Sequence, residues 1–186
     1  MEKIINKYST LCNIKSDINE HLPTLKKYSE ECDSIVEMGV RWVVSTWALL
    51  AGKPKKLVSI DIKHPNAFGG SLDEIYQCCD EYGIDFTFLE ESTLTNNIDE
   101  CDLLFIDTLH TYSQLSKELI RHSEKAKKYI ILHDTELFKN RDEIDTNSEK
   151  KGLSPALEEF LSENNHWVIK ERFQNNNGLT VLERSQ

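Results

Sequence analysis

The sequence predicts a three-layer α/β/α domain built on a mostly parallel sheet of about seven strands. Three observations predict it. Short β-rich runs alternate with segments of helical period, a pattern that requires parallel strands joined by right-handed crossovers. The runs LLFI (103–106) and YIIL (129–132) are continuously apolar, as strands buried on both faces are. The last two runs flank an Asn-rich turn closing in Gly178, which predicts an antiparallel hairpin at one edge of the sheet.

Residues 1–31 read as leading helices, with Ser16 capping the second, Asn19 and Glu20 in its first turn, and Pro23 bending it. Ser34 to Met38 is the first strand, ending at Gly39. Val43 to Leu50 forms a helix. Lys56 to Ile62 is the second strand. Ser71 to Tyr82 carries apolar residues at helical spacing, with Ser71 as N-cap and Glu74 completing a capping box. Ile84 to Leu89 is the third strand and Asp102 to Ile106 the fourth. Tyr112 to Lys127 is helical, and Tyr129 to His133 is the fifth strand. Residues 139–152 are polar and lack apolar periodicity, so they read as a flexible loop, either a connector or a flap over a site. Ser154 to Asn164 is a helix with Pro155 in its first position. His166 to Arg172 and Leu179 to Arg184 close the chain as the hairpin. No linker divides the sequence, so residues 1–186 are expected to form one domain.

Composition narrows the function. The net charge is −10, with 22 basic against 32 acidic residues. Affinity for a phosphate backbone comes from Lys and Arg, so neither nucleic acid nor an anionic membrane is an expected partner. The apolar stretch from Trp42 to Ala51 is broken by Ser45 and Thr46 and is too short to span a bilayer. The N-terminus lacks the apolar core of a secretory signal, and the five cysteines form no CxxC pair; a reducing, cytoplasmic location is expected. Homo-oligomerisation is left open.

In a doubly wound sheet, ligands sit beyond the carboxyl ends of the strands, where the strand order reverses. The residues there are Glu37 and Gly39, Asp61, Glu90 to Ser92, Asp107, and His133 with Asp134. Nearly every strand ends in an acid. Gly39 permits a tight turn before a helix whose first N–H groups are free. There is no GxGxxG and no GxxxxGK[ST], which disfavours dinucleotide and P-loop sites. Asp61 lies about twenty residues beyond Gly39, the spacing at which an acid reaches a ribose hydroxyl.

The densest cluster is FIDTLHTY (105–112) followed by YIILHDT (129–135). If the fourth and fifth strands are neighbours, Asp107 and Asp134 end about 5 Å apart. Two such carboxylates repel unless a cation or a shared proton intervenes. Oxygen ligands favour Mg²⁺, Mn²⁺ or Ca²⁺ over Zn²⁺. His110, three residues past Asp107, could accept a proton at neutral pH, its intrinsic pKa being about 6.5. His133 is either a ligand or a packing residue at its strand end. Trp42, Trp47 and Trp167 read as core or rim, His122 and His21 as packing residues, and Cys78 with Cys79 as buried thiols.

The order EMGVRxxxST, VSID, FIDTxHTY and IILHDT resembles class I S-adenosylmethionine-dependent methyltransferases. More narrowly it resembles the small branch related to cephalosporin hydroxylase-like proteins and macrolide-sugar O-methyltransferases. The resemblance spans about Ser16 to Arg184 and implies a Rossmann-like methyltransferase fold with a reversed last strand. It implies S-adenosylmethionine and a divalent metal, Mg²⁺ or Mn²⁺, as cofactors. It places Glu37, Gly39 and Arg41 on the family's first motif, with Ser45 and Thr46 opening the next helix, and Asp61 on the ribose acid. Glu90, Glu91 and Ser92 fall where adenine is bordered. Asp107 and Asp134 fall on the metal-binding aspartates, with Asp107 also beside the cofactor, and His110 on the general base. Two departures stand out: Val43 where the first motif usually has a second Gly, and His133 and Thr135 where an acid or amide often flanks the second aspartate.

The resulting expectation is O-methylation of a hydroxyl on a small polar acceptor, a sugar or glycan unit. The alternatives are a non-catalytic cofactor-binding or scaffold protein on the same fold, and a metal-dependent hydrolase or hydroxylase-like enzyme that uses the aspartates alone. Metal-free methyl transfer with His110 as the sole base is a further variant.

Overall fold

The computed structural model describes residues 1–185. Seven strands form one sheet: β1 (Ser34–Met38), β2 (Lys56–Asp61), β3 (Asp85–Glu90), β4 (Cys101–Ile106), β5 (Ala126–His133), β6 (Trp167–Phe173) and β7 (Leu179–Arg184). Their order is β3-β2-β1-β4-β5-β7-β6. The first five pair in parallel, and β7 runs antiparallel to both β5 and β6. The order reverses between β1 and β4, so their carboxyl ends form the crevice that the doubly wound topology reserves for ligands.

Period-two alternation along the strands creates the layers. Ile35, Leu103, Phe105 and Ile131 join one core; Val36, Leu104, Ile106, Ile130 and Leu132 join the other. The first core also takes Ile4, Leu22, Leu25 and Trp47 from α1 (Glu2–Cys12), α2 (Leu22–Ser29) and α3 (Val44–Ala51), and Ile75 from α4 (Asp73–Tyr82). The second takes Leu115 and Leu119 from α5 (Tyr112–His122), and Leu157 and Phe160 from α6 (Leu153–Glu163). Fully burying a side chain of this size stabilises by roughly 1.5–3 kcal/mol.

Element ends depart from the sequence reading where capping chemistry is local. Leu72, not Ser71, is the N-cap of α4; Ser71 Oγ accepts from the Asp73 N–H, and Glu74 pairs with Lys7 instead of closing a capping box. Pro155 is the third residue of α6, whose N-cap is Gly152. Helix α5 stops at His122; a 3₁₀ turn over Ser123–Lys125 follows, and Ala126 already belongs to β5. The leading region is α1, a 3₁₀ turn (Asn19–His21) and α2, with Pro23 in the first turn of α2 rather than at a bend. Residues 139–152 contain neither helix nor strand. Among the described residues, no helix is long and apolar enough to cross a membrane, and the five cysteines are free thiols.

Candidate active site

A cavity of about 630 Å³ opens over the reversal point, within the size range of small-molecule sites. Gly39, Arg41, Ser45, Asp61, Ser92, Asp107, His110 and Asp134 line it, all expected from the sequence. Thr93, Thr108, Gln114 and Glu143 also line it and were not expected there, as does Trp42, which the sequence placed in the core or at a rim. Glu37, Thr46, Glu90, Glu91 and His133 do not line it.

The loop from Gly39 to Val43 is held by backbone and carboxylate bonds. Gly39 N–H donates to Ile60 O, and Asp107 N–H donates to Met38 O, which stitches β1 to its two neighbours. Gly39 has φ +87°, and a Cβ there would lie 1.9 Å from Asp107 O. Asp61 Oδ2 accepts from Val40 N–H (2.8 Å) and Arg41 N–H (3.1 Å), and Oδ1 accepts from Lys63 N–H (3.1 Å). In this structure the expected ribose acid thus clamps the first loop. Val43 takes φ +60°, a left-handed conformation unusual for a β-branched residue. Its side chain is buried in the core and does not line the cavity, so it stores strain instead of crowding a ligand. Trp42 stands at the rim, its Nε1 donating to Phe68 O (2.9 Å) and its ring stacked on the Arg41 guanidinium. Trp47 and Trp167 are core residues.

Glu37 lies beneath this loop, fully buried. Ser45, Thr46 and Ser59 hydroxyls donate to its carboxylate at 2.6, 2.9 and 2.6 Å. Burial pushes the Glu37 carboxyl up to about 7, outweighing the three hydroxyls that lower it. The folded chain therefore retains a proton that the unfolded chain, at about 4.5, releases. Stability from this group should fall as pH rises from about 4.5 to about 7, by roughly 3 kcal/mol in all. Glu37→Gln should flatten that part of the stability–pH curve in urea denaturation; an unchanged slope would contradict the assignment. Thr46 bonds Glu37 and does not line the cavity, while Glu90, the last residue of edge strand β3, and Glu91 after it are exposed.

The acidic centre joins β4 to β5, which pair in parallel up to Ile106 and Leu132. His110 Nε2 lies 3.1 Å from Asp107 Oδ1 and 3.0 Å from Asp134 Oδ2. Asp107, His110 and Asp134 each offer an atom to a group no wider than 4.8 Å. Asp134 takes φ +59°, which an Asp tolerates. Its Oδ1 is buried with no hydrogen-bond partner. An orphaned anionic oxygen beside a second carboxylate and an imidazole fits a divalent cation with N/O ligands. His133 sits behind, fully buried, with Nδ1 3.2 Å from Asp107 Oδ1 and 3.4 Å from Asp134 Oδ2. Its Nε2 is unpartnered, and its ring meets His21 edge-on. His21 is itself fixed to the hairpin turn through Asn175 O.

The charges couple strongly. Burial opposes ionisation of Asp107, but His133 and His110 reverse it and hold the carboxyl well below the usual range. Burial likewise opposes protonation of His110 and His133; the adjacent carboxylates win and raise both. Glu118, buried on α5, is pushed up by desolvation while accepting from Thr93, Thr108 and Gln114, three cavity-lining residues.

No protein-family model matches the sequence, and a search of curated proteins finds no match. Solved structures do match. A protein from Corynebacterium glutamicum superposes with a TM-score of 0.65 at 12% identity, over 100% of this chain and 91% of that one. An O-methyltransferase from Bacillus cereus in complex with SAH gives 0.63 at 12%, over 99% and 90%. The chain has the Rossmann-like methyltransferase fold. The SAM complex of the O-methyltransferase of Streptomyces achromogenes involved in tomaymycin synthesis gives 0.60 at 12%, over 93% and 82%. In this fold the cavity occupies the reversal point, lined by the Gly39 loop and, directly against Gly39, by Asp107 with Asp134.

Proposed function

We propose that the chain is an S-adenosylmethionine-dependent O-methyltransferase acting on a hydroxyl of a small polar acceptor, a sugar or glycan unit, with a divalent cation. The observation that carries this reading is the unpartnered Asp134 Oδ1 in a cluster with Asp107 and His110, three residues that line a ligand-sized cavity in a methyltransferase fold. S-adenosylmethionine would lie between the Gly39 loop and Ser92, with Asp61 nearest its ribose. The cation would be held by Asp107 and Asp134. Bound together, the two supply an electrophilic methyl group and a charge that acidifies and orients a hydroxyl.

The chain's own groups do the rest. Walls from four strand ends align donor and acceptor, which supplies a large share of a displacement's rate. His110 presents Nε2 to the cleft and takes the hydroxyl proton there. A hard cation held by the two carboxylates would polarise the acceptor hydroxyl. A second reading makes Nε2 a third ligand, favoured by its 3.0–3.1 Å approach to both carboxylates. One nitrogen cannot hold a cation and a proton together, so the readings separate. Transfer to a panel of sugar acceptors is measured with Mg²⁺ and with EDTA, and Mn²⁺ affinity is measured in wild type and His110→Ala. Activity lost in EDTA, with His110→Ala slowed about 10²–10⁴-fold at unchanged Mn²⁺ affinity, is expected. Weakened Mn²⁺ binding favours the ligand reading, and no binding of S-adenosylmethionine at millimolar concentration refutes the proposal.

A further inference from the structure

We infer that Gln114 reads the exocyclic amine of a purine nucleoside in the cavity, and that buried Glu118 is the positioning residue that orients its amide. That the nucleoside belongs to S-adenosylmethionine rests on the reaction proposed above. Helix α5 is capped by Thr111, whose Oγ1 accepts from Gln114 N–H at 3.1 Å. Gln114, Glu118, Arg121 and His122 follow at the spacing of one helical face. That face grips the segment between β3 and β4, residues 91–100, which contains neither helix nor strand. Arg121 donates to Asn96 O from Nε (2.7 Å) and to Thr95 O from Nη2 (2.9 Å). His122 Nε2 lies 2.7 Å from Thr93 O. Thr93 and Gln114 are thereby fixed side by side in the cavity wall.

Glu118 Oε1 accepts from Gln114 Nε2 at 2.8 Å and from Thr93 Oγ1 at 2.6 Å. Only the nitrogen of an amide can donate to that oxygen, so Glu118 decides which way round the Gln114 amide sits. Nε2 also donates to Thr93 Oγ1 at 3.2 Å. Both amide hydrogens of Gln114 are then spent, and so is the hydroxyl hydrogen of Thr93. A proton on the other carboxyl oxygen, Oε2, would go to Thr108 Oγ1 and leave these bonds as they are. Gln114 and Thr93 can therefore offer a ligand only acceptors, Gln114 Oε1 and a lone pair of Thr93 Oγ1. Such a wall takes a group that donates. A 6-aminopurine brings N–H donors, whereas a 6-oxopurine sets a second acceptor against the first and leaves both unpaired. Thr93 follows Ser92, which borders the position proposed for the cofactor, so the donor that fits is the purine amine.

The test is calorimetry on the full chain with Mg²⁺ and four probes: adenosine, inosine, S-adenosylhomocysteine and S-inosylhomocysteine. Wild type should bind each amino compound about 10–100-fold more tightly than its oxo counterpart. Gln114→Ala should bring that ratio close to one. Glu118→Gln carries N–H donors of its own, frees the Gln114 amide to rotate, and should lower the ratio as well. Arg121→Ala loosens the same segment without touching the amide, and should keep the wild-type ratio. A wild-type ratio near one, a ratio that survives either Gln114→Ala or Glu118→Gln, or an equal loss in Arg121→Ala overturns the inference. A ratio unchanged in Gln114→Ala, with KM for a sugar acceptor raised instead, gives the wall to the acceptor and overturns it too. A preference for adenosine over inosine that Gln114→Ala abolishes, in a chain that binds neither homocysteine compound, upholds the inference and refutes the proposed reaction. Binding of none of the four overturns both.

Discussion

Gly39→Ala is expected to lower stability by about 3–5 kcal/mol, combining backbone strain with overpacking, and to abolish ligand binding at the cavity. The new Cβ would lie 1.9 Å from Asp107 O and 2.6 Å from Asp107 C, both backbone atoms that cannot rotate away. The only relief is to separate β1 from β4, which moves Asp107 itself. Gly69 provides the control. Its φ is +82° and nothing lies within 4 Å of a Cβ there, so Gly69→Ala should cost only about 1 kcal/mol. Urea denaturation of both variants checks the contrast; equal losses would show that the close approach of β1 and β4 is not the cause.

Asp134→Asn should leave the fold intact and remove the cation site. Asn tolerates the left-handed backbone at φ +59°, so the substitution changes charge without adding strain. It leaves His133 facing only the Asp107 carboxylate, and His110 facing those of Asp107 and Glu143. Methyl transfer should fall about 10²–10³-fold, the usual loss when one preorganised charge is taken from a dry site. Mn²⁺ affinity should fall with it, while the melting temperature in EDTA stays near wild type. A variant that loses stability but keeps its Mn²⁺ affinity would make Asp134 a structural residue.

The sheet was legible because each parallel strand feeds both layers, leaving runs such as Leu103–Ile106 without a polar residue. Strand ends were legible for the same reason: the first acid after an apolar run marks where the core stops, as at Asp107 and Asp134. Helix ends were less so. Ser71 and Pro155 carry cap chemistry that the chain uses one or two residues away, because packing of Leu72 and Leu153 sets the helix start. Glu37 reads as a strand-end acid, yet alternation turns it into the core; Ser45, Thr46 and Ser59 were the available signal, hydroxyls in otherwise apolar runs. Glu143 left no local signal. Its partner lies 33 residues away, and only the folded chain sets a polar loop against the start of α5.

The most direct test of the account is a crystal structure of the chain soaked with S-adenosylhomocysteine and Mn²⁺, read by anomalous scattering. The account predicts a manganese peak between Asp107 and Asp134 and a nucleoside bordered by the Gly39 loop, Asp61 and Ser92. A peak elsewhere, or a cavity that stays empty of both at saturating concentration, would contradict it.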